Sequence, residues 1–242
     1  MMNEKRKPIF PPLLSFVIGM VVGVFLVFVA TWADMESAFY GFPRLADAGL
    51  RGLNCPVLMT RDDTATISLK LSNPTDDKLS PAVKTMISTP LVPEESLETI
   101  ELAPGESKRL EWRVDSDNVD LDRFIFAKVL MYSAYPLPSR ETSCGIFILD
   151  LPGSGRVMLP LFVAISLLGM GWGLYGMNRF NAGNAWIEKN LRAMAFVAIM
   201  LALGLVISFM GGWIPSILVL AVVVLMLFFL LGSFLMSERR ER

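Results

Sequence analysis

Thr66-Ile67-Ser68-Leu69-Lys70-Leu71-Ser72-Asn73-Pro74-Thr75 alternates large aliphatic with small or charged side chains and then breaks off. Successive side chains of an extended strand point to opposite faces, so Ile67, Leu69 and Leu71 are expected to face a core while Ser68 and Lys70 face water. Asn73-Pro74-Thr75-Asp76-Asp77 then turns the chain, because Asn and Asp bond their own backbone and Pro fixes φ. The same grammar recurs on both sides. Short runs at residues 56–59 and 83–87, and around Leu97, Ile100 and Leu102, read as strands, and Ala103-Pro104-Gly105-Glu106-Ser107 makes the next turn. Beyond it Leu110, Trp112 and Val114 alternate with Arg109, Glu111 and Arg113, the clearest half-buried strand in the chain. Residues 124–135 form an apolar run suited to a central strand, and residues 144–151 supply the last. About seven short strands at this spacing predict an antiparallel β-sandwich of immunoglobulin-like type over residues 55–152.

The run from Ile67 to Thr75, followed by Leu102-Ala103-Pro104-Gly105-Glu106-Ser107-Lys108 and an alternating strand, resembles the CARDB and fibronectin type III-like modules of prokaryotic surface proteins. In those families a strand ending in Asn precedes a polar turn, and an L-x-P-G-E-[ST] turn precedes the next strand. The resemblance covers residues 64–151. It implies a sandwich fold, a prokaryotic source and adhesion or scaffold roles in general. It transfers no binding residue, since its motifs are turn grammar rather than chemistry.

Outside the sandwich the composition changes. The chain is 53% hydrophobic, above the roughly 45 to 50% usual for soluble domains, and the excess lies in four segments. Residues 13–33, 157–177, 191–209 and 213–236 contain no acidic residue, and no basic one except Arg192 at the edge of the third. Each is long enough, at about 1.5 Å per residue, to cross a hydrocarbon layer of about 30 Å. The first could instead be a signal peptide, with Lys5, Arg6 and Lys7 as its basic start and Thr31-Trp32-Ala33 as its cleavage site. Its apolar run exceeds the about 7 to 15 residues of a signal and Trp32 is bulky, so a retained helix is the preferred reading, and either reading exports the sandwich.

Cytoplasmic loops are enriched in Lys and Arg. Lys5, Arg6 and Lys7 precede the first segment, Arg179, Lys189 and Arg192 lie around the link to the third, and Arg239, Arg240 and Arg242 follow the fourth. With four spans these clusters share one side, so residues 1–12, 178–190 and 237–242 are expected in the cytoplasm. The sandwich, inserted between the first and second helices, is expected outside, in a multi-pass protein of the plasma membrane with both termini cytoplasmic. Met210-Gly211-Gly212 makes a tight external turn, and Trp32, Trp172, Trp186 and Trp213 lie near helix ends, as interfacial aromatics do.

The segments lack the interior acidic and basic groups that ion and proton pathways use, which argues against a pump. They do carry two GxxxG spacings, Gly19 with Gly23 and Gly169 with Gly173, which let backbones approach closely. Two outcomes remain open: homo-oligomerisation through these faces, or packing within the four-helix group.

Histidine is absent, which removes the commonest general base and metal ligand. Residues 61–150 hold sixteen acidic against ten basic residues, so the exported segment is no nucleic-acid binder. Cys55 and Cys144 lie near its two ends, and an oxidising compartment would pair them. That disulfide would contribute about 4 to 5 kcal/mol on the chain-entropy model, the alternative being two buried thiols. Asp115, Asp117, Asp120 and Asp122 have calcium-ligand chemistry. However, Val119 interrupts them, no Gly stands at the sixth position of the loop and no Glu closes it, so a solvated acidic turn is the competing reading. Ser139, Ser143 and Ser154 have no histidine to activate them, and Gly153-Ser154-Gly155 reads as a hinge rather than a phosphate cradle. Residues 34–54 are expected to form a juxtamembrane linker, either a short amphipathic helix or a loop packed on the sandwich. The sequence therefore points to a non-enzymatic envelope protein without a cofactor. Its expected partners are the lipid bilayer and another envelope or membrane protein. The alternative is an accessory subunit that docks through its helices onto a larger membrane complex.

Overall fold

A computed structural model describes residues 10–46, 48–133, 135–180 and 185–241. Lys5, Arg6, Lys7 and Arg242 lie outside the described residues, as do the side chains of Trp186, Arg239 and Arg240. The chain divides into two compact units, one ending at Thr31 and resuming at Leu159, the other spanning Trp32–Met158.

The first unit is helical. It takes the first part of α1 (Phe10–Phe39), most of α2 (Gly155–Phe180), then α3 (Ala185–Phe209) and α4 (Trp213–Glu241). Among the described residues, four helices are long and apolar enough to cross a membrane. Phe16, Val27, Met170, Met177, Val197, Leu201 and Val223 form their shared core. Large apolar side chains such as Leu168, Phe228 and Phe229 remain exposed, the inverse of a water-soluble bundle. Between α3 and α4, Gly211 adopts φ +76°, and the Gly212 N–H reaches the Ile207 carbonyl at 3.1 Å. This left-handed residue ends α3 and permits the hairpin expected from Met210-Gly211-Gly212.

Among the described residues, the second unit holds nine strands in two sheets. They are β1 (Ala48–Gly49), β2 (Leu53–Asn54), β3 (Leu58–Thr60), β4 (Ala65–Ser72), β5 (Ala82–Ile87), β6 (Glu94–Thr99), β7 (Ser107–Val114), β8 (Phe124–Met131) and β9 (Arg140–Leu149). One sheet runs β1-β9-β8-β5-β6, with β3 also on β9; the other runs β2-β4-β7. β1 and β3 lie parallel to β9, and the remaining pairs are antiparallel. Ile67, Leu69 and Leu71 of β4 are buried and meet Ile125, Ala127 and Val129 of β8 in two adjoining clusters, so the sheets share one apolar interior. Lys70 is exposed, as the alternation requires. Ser68, placed between Asn54 and Glu111 in the ladder, is covered by its neighbours instead.

Two boundaries differ from the sequence reading. α1 does not stop at Ala33 but continues to Phe39, since nothing from Asp34 to Phe39 breaks a helix and Gly41 and Pro43 come only afterwards. Among the described residues, the rest of the expected linker forms no helix. It adds β1 to one sheet and β2 to the other, with Gly52 at φ +98° between them. Cys55 directly after β2 and Cys144 in β9 lie at disulfide-bonding distance, Cα to Cα 6.5 Å, and the link ties the two sheets together.

The two halves of the turn motif meet in space. Asn73 is buried, and its Nδ2 donates to the carbonyls of Asp77 at 2.7 Å, Leu102 at 3.2 Å and Ala103 at 3.1 Å. Its Oδ1 accepts from the Thr75 N–H at 3.0 Å, its own N–H donates to the Glu106 carbonyl, and its carbonyl accepts from the Gly105 N–H. The Glu106 carboxylate accepts from the Ala103 N–H, and Gly105 takes φ +71°. One side chain therefore clasps two turns that lie thirty residues apart. Asn73→Leu, which fits the space but strands these carbonyls, is expected to cost about 3 kcal/mol of stability. A denaturant titration read by tryptophan fluorescence measures it.

Candidate functional site

β8 reads Phe-Ile-Phe-Ala-Lys-Val-Leu-Met, and all eight residues are buried. Ile125, Ala127 and Val129 face the shared interior, so Phe124, Phe126, Lys128 and Leu130 must be covered from the other side. The cover is the end of α1 and the segment after it. Ala33, Phe42, Met86, Phe124 and Phe126 form a cluster with Tyr40 and Phe147 at its edge. Tyr40 stands 4.4 Å from the Phe126 ring and 4.6 Å from Phe42, centroid to centroid.

Gly145 of β9 allows this approach. A Cβ there would fall 1.9 Å from the Ala33 carbonyl oxygen, so the helix backbone lies directly on the strand. The Gly145 N–H donates to Asp34 Oδ1 at 3.2 Å, and the Ser37 hydroxyl donates to Ser143 Oγ at 3.3 Å.

A charged clamp holds residues 43–46. Lys128 Nζ sits 3.0 Å from Glu141 Oε1 and donates to the Pro43 carbonyl at 2.9 Å. Glu141 Oε2 accepts from the N–H groups of Leu45 at 2.9 Å and Ala46 at 3.1 Å. Both side chains are largely buried. Burial alone would raise the Glu141 carboxyl. The Leu45 donor, the Lys128 ammonium and the Ala46 donor outweigh it and hold the group below its ordinary value. Burial likewise pushes the Tyr40 phenol up, to about 12, helped by the Asp120 carboxylate to which its hydroxyl donates. This clamp escaped the sequence reading, although a lysine between Ala127 and Val129 in an apolar strand was its visible sign.

The four aspartates considered for calcium do separate work. Asp115 caps the 3₁₀ turn Ser116–Asn118, accepting from the Asp117 N–H while Asn118 returns a bond to the Asp115 N–H. Asn118 is buried against Ser88, whose hydroxyl donates to the Asn118 carbonyl at 2.8 Å. Asp120 accepts from Tyr40, and Asp122 sits at φ +61° in a turn whose carbonyl accepts from Arg61. Among the described residues no three acidic side chains converge as metal ligands would.

The glycine spacings face each other inside the helical unit. A Cβ on Gly19 would meet the backbone of Ser166 and Met170 at 2.6 Å, and one on Gly173 would meet Phe16 at 2.6 Å. Gly169 would touch Gly19, Gly23 would touch Ser166, and the Ser15 hydroxyl donates to the Gly169 carbonyl at 3.1 Å. These faces pack α1 on α2 within the chain. Ser139, Ser143 and Ser154 stay apart: Ser139 accepts from the Ser133 N–H, Ser143 meets Ser37, and Ser154 precedes α2. Asp63 accepts from the Gly155 N–H at 2.6 Å, at the first residue of α2. Burial would raise its carboxyl, but the donors from Gly155, Thr60 and Ser154 lower it on balance. The cleft beside it, lined by Leu58, Asp63, Thr66 and Arg156, encloses about 130 Å³, below the roughly 300 Å³ at which small-molecule sites begin.

β6 is the open end of the larger sheet. β5 is its one paired strand among the described residues, and every β6 residue except Ser96 is exposed. It presents Glu94, Glu95, Leu97 and Glu98, with Glu95 2.7 Å from Lys84 of β5. This surface offers strand backbone left open beyond the ladder to β5, together with negative charge.

No family model matches the chain, and no curated protein matches it. Among solved structures, a cycloisomaltooligosaccharide glucanotransferase of Paenibacillus sp., complexed with cycloisomaltoheptaose, is similar at 15% identity and TM-score 0.32, over 44% of this chain and 14% of that one. A β-glucosidase of Erythrobacter marinus is similar at 15% identity and TM-score 0.28, over 38% of this chain and 14% of that one. Likenesses this slight bear on neither fold nor activity.

The clamp sets an acid limit. A carboxyl depressed by folding stabilises the native state above its unfolded value, near 4.5 here, and that contribution is lost as pH falls through the lower folded value. Lys128→Met leaves Glu141 buried with only its two backbone donors and is expected to cost about 3 kcal/mol at neutral pH. Adding Glu141→Gln to that variant is expected to recover part of the loss and to flatten the dependence of melting temperature on pH below about 5. Thermal melts of the three proteins across pH 3 to 7 test this.

Proposed function

We propose that the protein is a non-enzymatic component of a prokaryotic cell envelope, held in the plasma membrane by four helices and presenting an immunoglobulin-like sandwich outside the cytoplasm for a partner protein. Four long apolar helices and the distribution of Lys and Arg support the topology. The strand order β2-β4-β7 opposite β6-β5-β8-β9 supports the immunoglobulin-like reading. A cysteine pair at bonding distance suits an oxidising compartment.

The observation that carries the binding role is β6. A terminal strand exposed on both faces, with free backbone donors and acceptors, suits the addition of an extended segment from another chain. Three glutamates select a basic one. The second reading, an accessory subunit docked through its helices, is favoured by α2 and α4, whose most apolar windows are only 17% buried within the chain.

On intact cells, a membrane-impermeant maleimide is expected to label Thr75→Cys and to spare Asn178→Cys until the cells are opened; the reverse pattern defeats the topology. To separate the two binding readings, a photo-crosslinking residue is placed at Leu97 or at Leu168, both exposed, and adducts are identified in native membranes. Adducts at Leu97 that disappear when Glu94, Glu95 and Glu98 become Gln support the sandwich as the binding element. Protein adducts at Leu168 alone transfer the role to the helices.

A further inference from the structure

The sheet unit has two unlike ends. Ile87 closes β5 opposite Ala127 and Glu94, and Phe124 opens β8 opposite Phe147 near the close of β9. This register brings the hairpin at residues 88–93, the turn at 115–123 and the segment at 150–154 out at one pole. The chain leaves the unit at the same pole. The Trp32 ring lies 6.5 Å from Phe124, and Gly155, held by Asp63, opens α2. Immediately beyond Trp32 on one side and Met158 on the other run the apolar helices.

Large apolar side chains stand uncovered at this pole. Leu91 is 93% exposed, Val92 74%, Leu121 59% and Leu151 46%. Leu91 and Val92 form the tip of the hairpin between Pro90 and Pro93, and the Thr89 hydroxyl donates to the Val92 carbonyl, so the tip is stiffened with both side chains outward. An apolar pair on a stiff tip loses little conformational freedom when it is covered. Charge narrows what can cover it. The same pole carries Glu94, Asp115, Asp117, Asp120, Asp122 and Asp150 against Arg61, Arg123 and Arg156, with Arg61 already paired to Asp150, so an anionic surface would be repelled.

We infer that the hairpin tip Leu91-Val92 inserts into the interfacial layer of a zwitterionic bilayer. The apolar pair reaches the boundary between headgroups and acyl chains while the acidic rim stays among the headgroups. The inference rests on the reading that α1 to α4 span the membrane.

The test uses the full chain in phosphatidylcholine vesicles, with the native cysteines oxidised and an environment-sensitive fluorophore on one added cysteine. Thr75→Cys reports the far pole, and Phe228→Cys, on an exposed face of α4, reports the lipid interior. At Val92→Cys the emission is expected to shift to the blue, to be quenched by spin-labelled lipid and to resist aqueous iodide. Adding Leu91→Asp to that protein is expected to return the emission to that of the Thr75 label. A Val92 label quenched by iodide like Thr75, while the Phe228 label is quenched by lipid, overturns the inference and leaves the spanning helices standing. A blue-shifted Val92 label indifferent to Leu91→Asp also overturns it, because the dye rather than the protein then seeks lipid. If the Phe228 label is itself open to iodide, the spanning reading has failed and the inference falls with it.

Discussion

Double-sided burial of β8 is the constraint on which the rest of the sheet unit depends. A strand in a two-layer sandwich normally buries one face and wets the other. Here Phe124 and Phe126 occupy the face that should be wet, and each fully covered aromatic is worth about 1.5 to 3 kcal/mol. That energy is recovered only if residues 32–46 lie down on the sheet. The segment read as a juxtamembrane linker, in one alternative a loop packed on the sandwich, is therefore part of the domain's own core. Gly145 obeys the same constraint, because any side chain at its position would hold the Ala33 backbone away from the strand.

The clamp lies at the margin of this covered face. Lys128 and Glu141 sit diagonally on adjacent antiparallel strands, Lys128 opposite Ser143 two places further along β9, so their side chains share one face. Burying an ion pair gains little over an apolar pair of equal size. What it supplies here is position: both charges also bond the backbone of residues 43–46, and an apolar pair could not hold three peptide groups in register. Glu141 also lends its own carbonyl to the Leu50 N–H, extending the same register into β1.

Much of this was legible in the sequence, and the remainder was hidden for identifiable reasons. Strict alternation marked β4 and β7, because each packs one face on the interior, and turn residues marked their ends. The four apolar helices were visible by length alone. The first charge, Asp34, marks the end of the apolar run but not of α1, which helix propensity carries on to Phe39. β1 and β2 were invisible, since a two-residue strand has no period to detect. The acidic stretch has the composition of a ligand set, yet the member that ties it to the fold is the buried Asn118 between the aspartates, which bonds Ser88 just after β5. Asn73 was recognised as turn grammar; that it bridges to the second turn depends on a fold no local pattern encodes. Gly19, Gly23, Gly169 and Gly173 were found by spacing, but spacing is silent on which backbone fills the gap.

The interior stops short of β6, and that gives the edge its character. β5 buries Val83, Thr85 and Ile87, while the residues opposite them on β6, Glu98, Ser96 and Glu94, have little beneath them. The strand is thus held by its ladder to β5 and by the Lys84–Glu95 pair, with almost no apolar burial of its own. Such an edge would be an aggregation hazard if it were neutral. Glutamates at three of its six positions make two copies repel when their β6 edges approach, so self-pairing is opposed while a basic strand from another chain is not. In the proposed binding role, the exposed Leu97 among those charges supplies the apolar contact that a correctly registered partner strand would cover, while the glutamates turn away a second copy of the same edge.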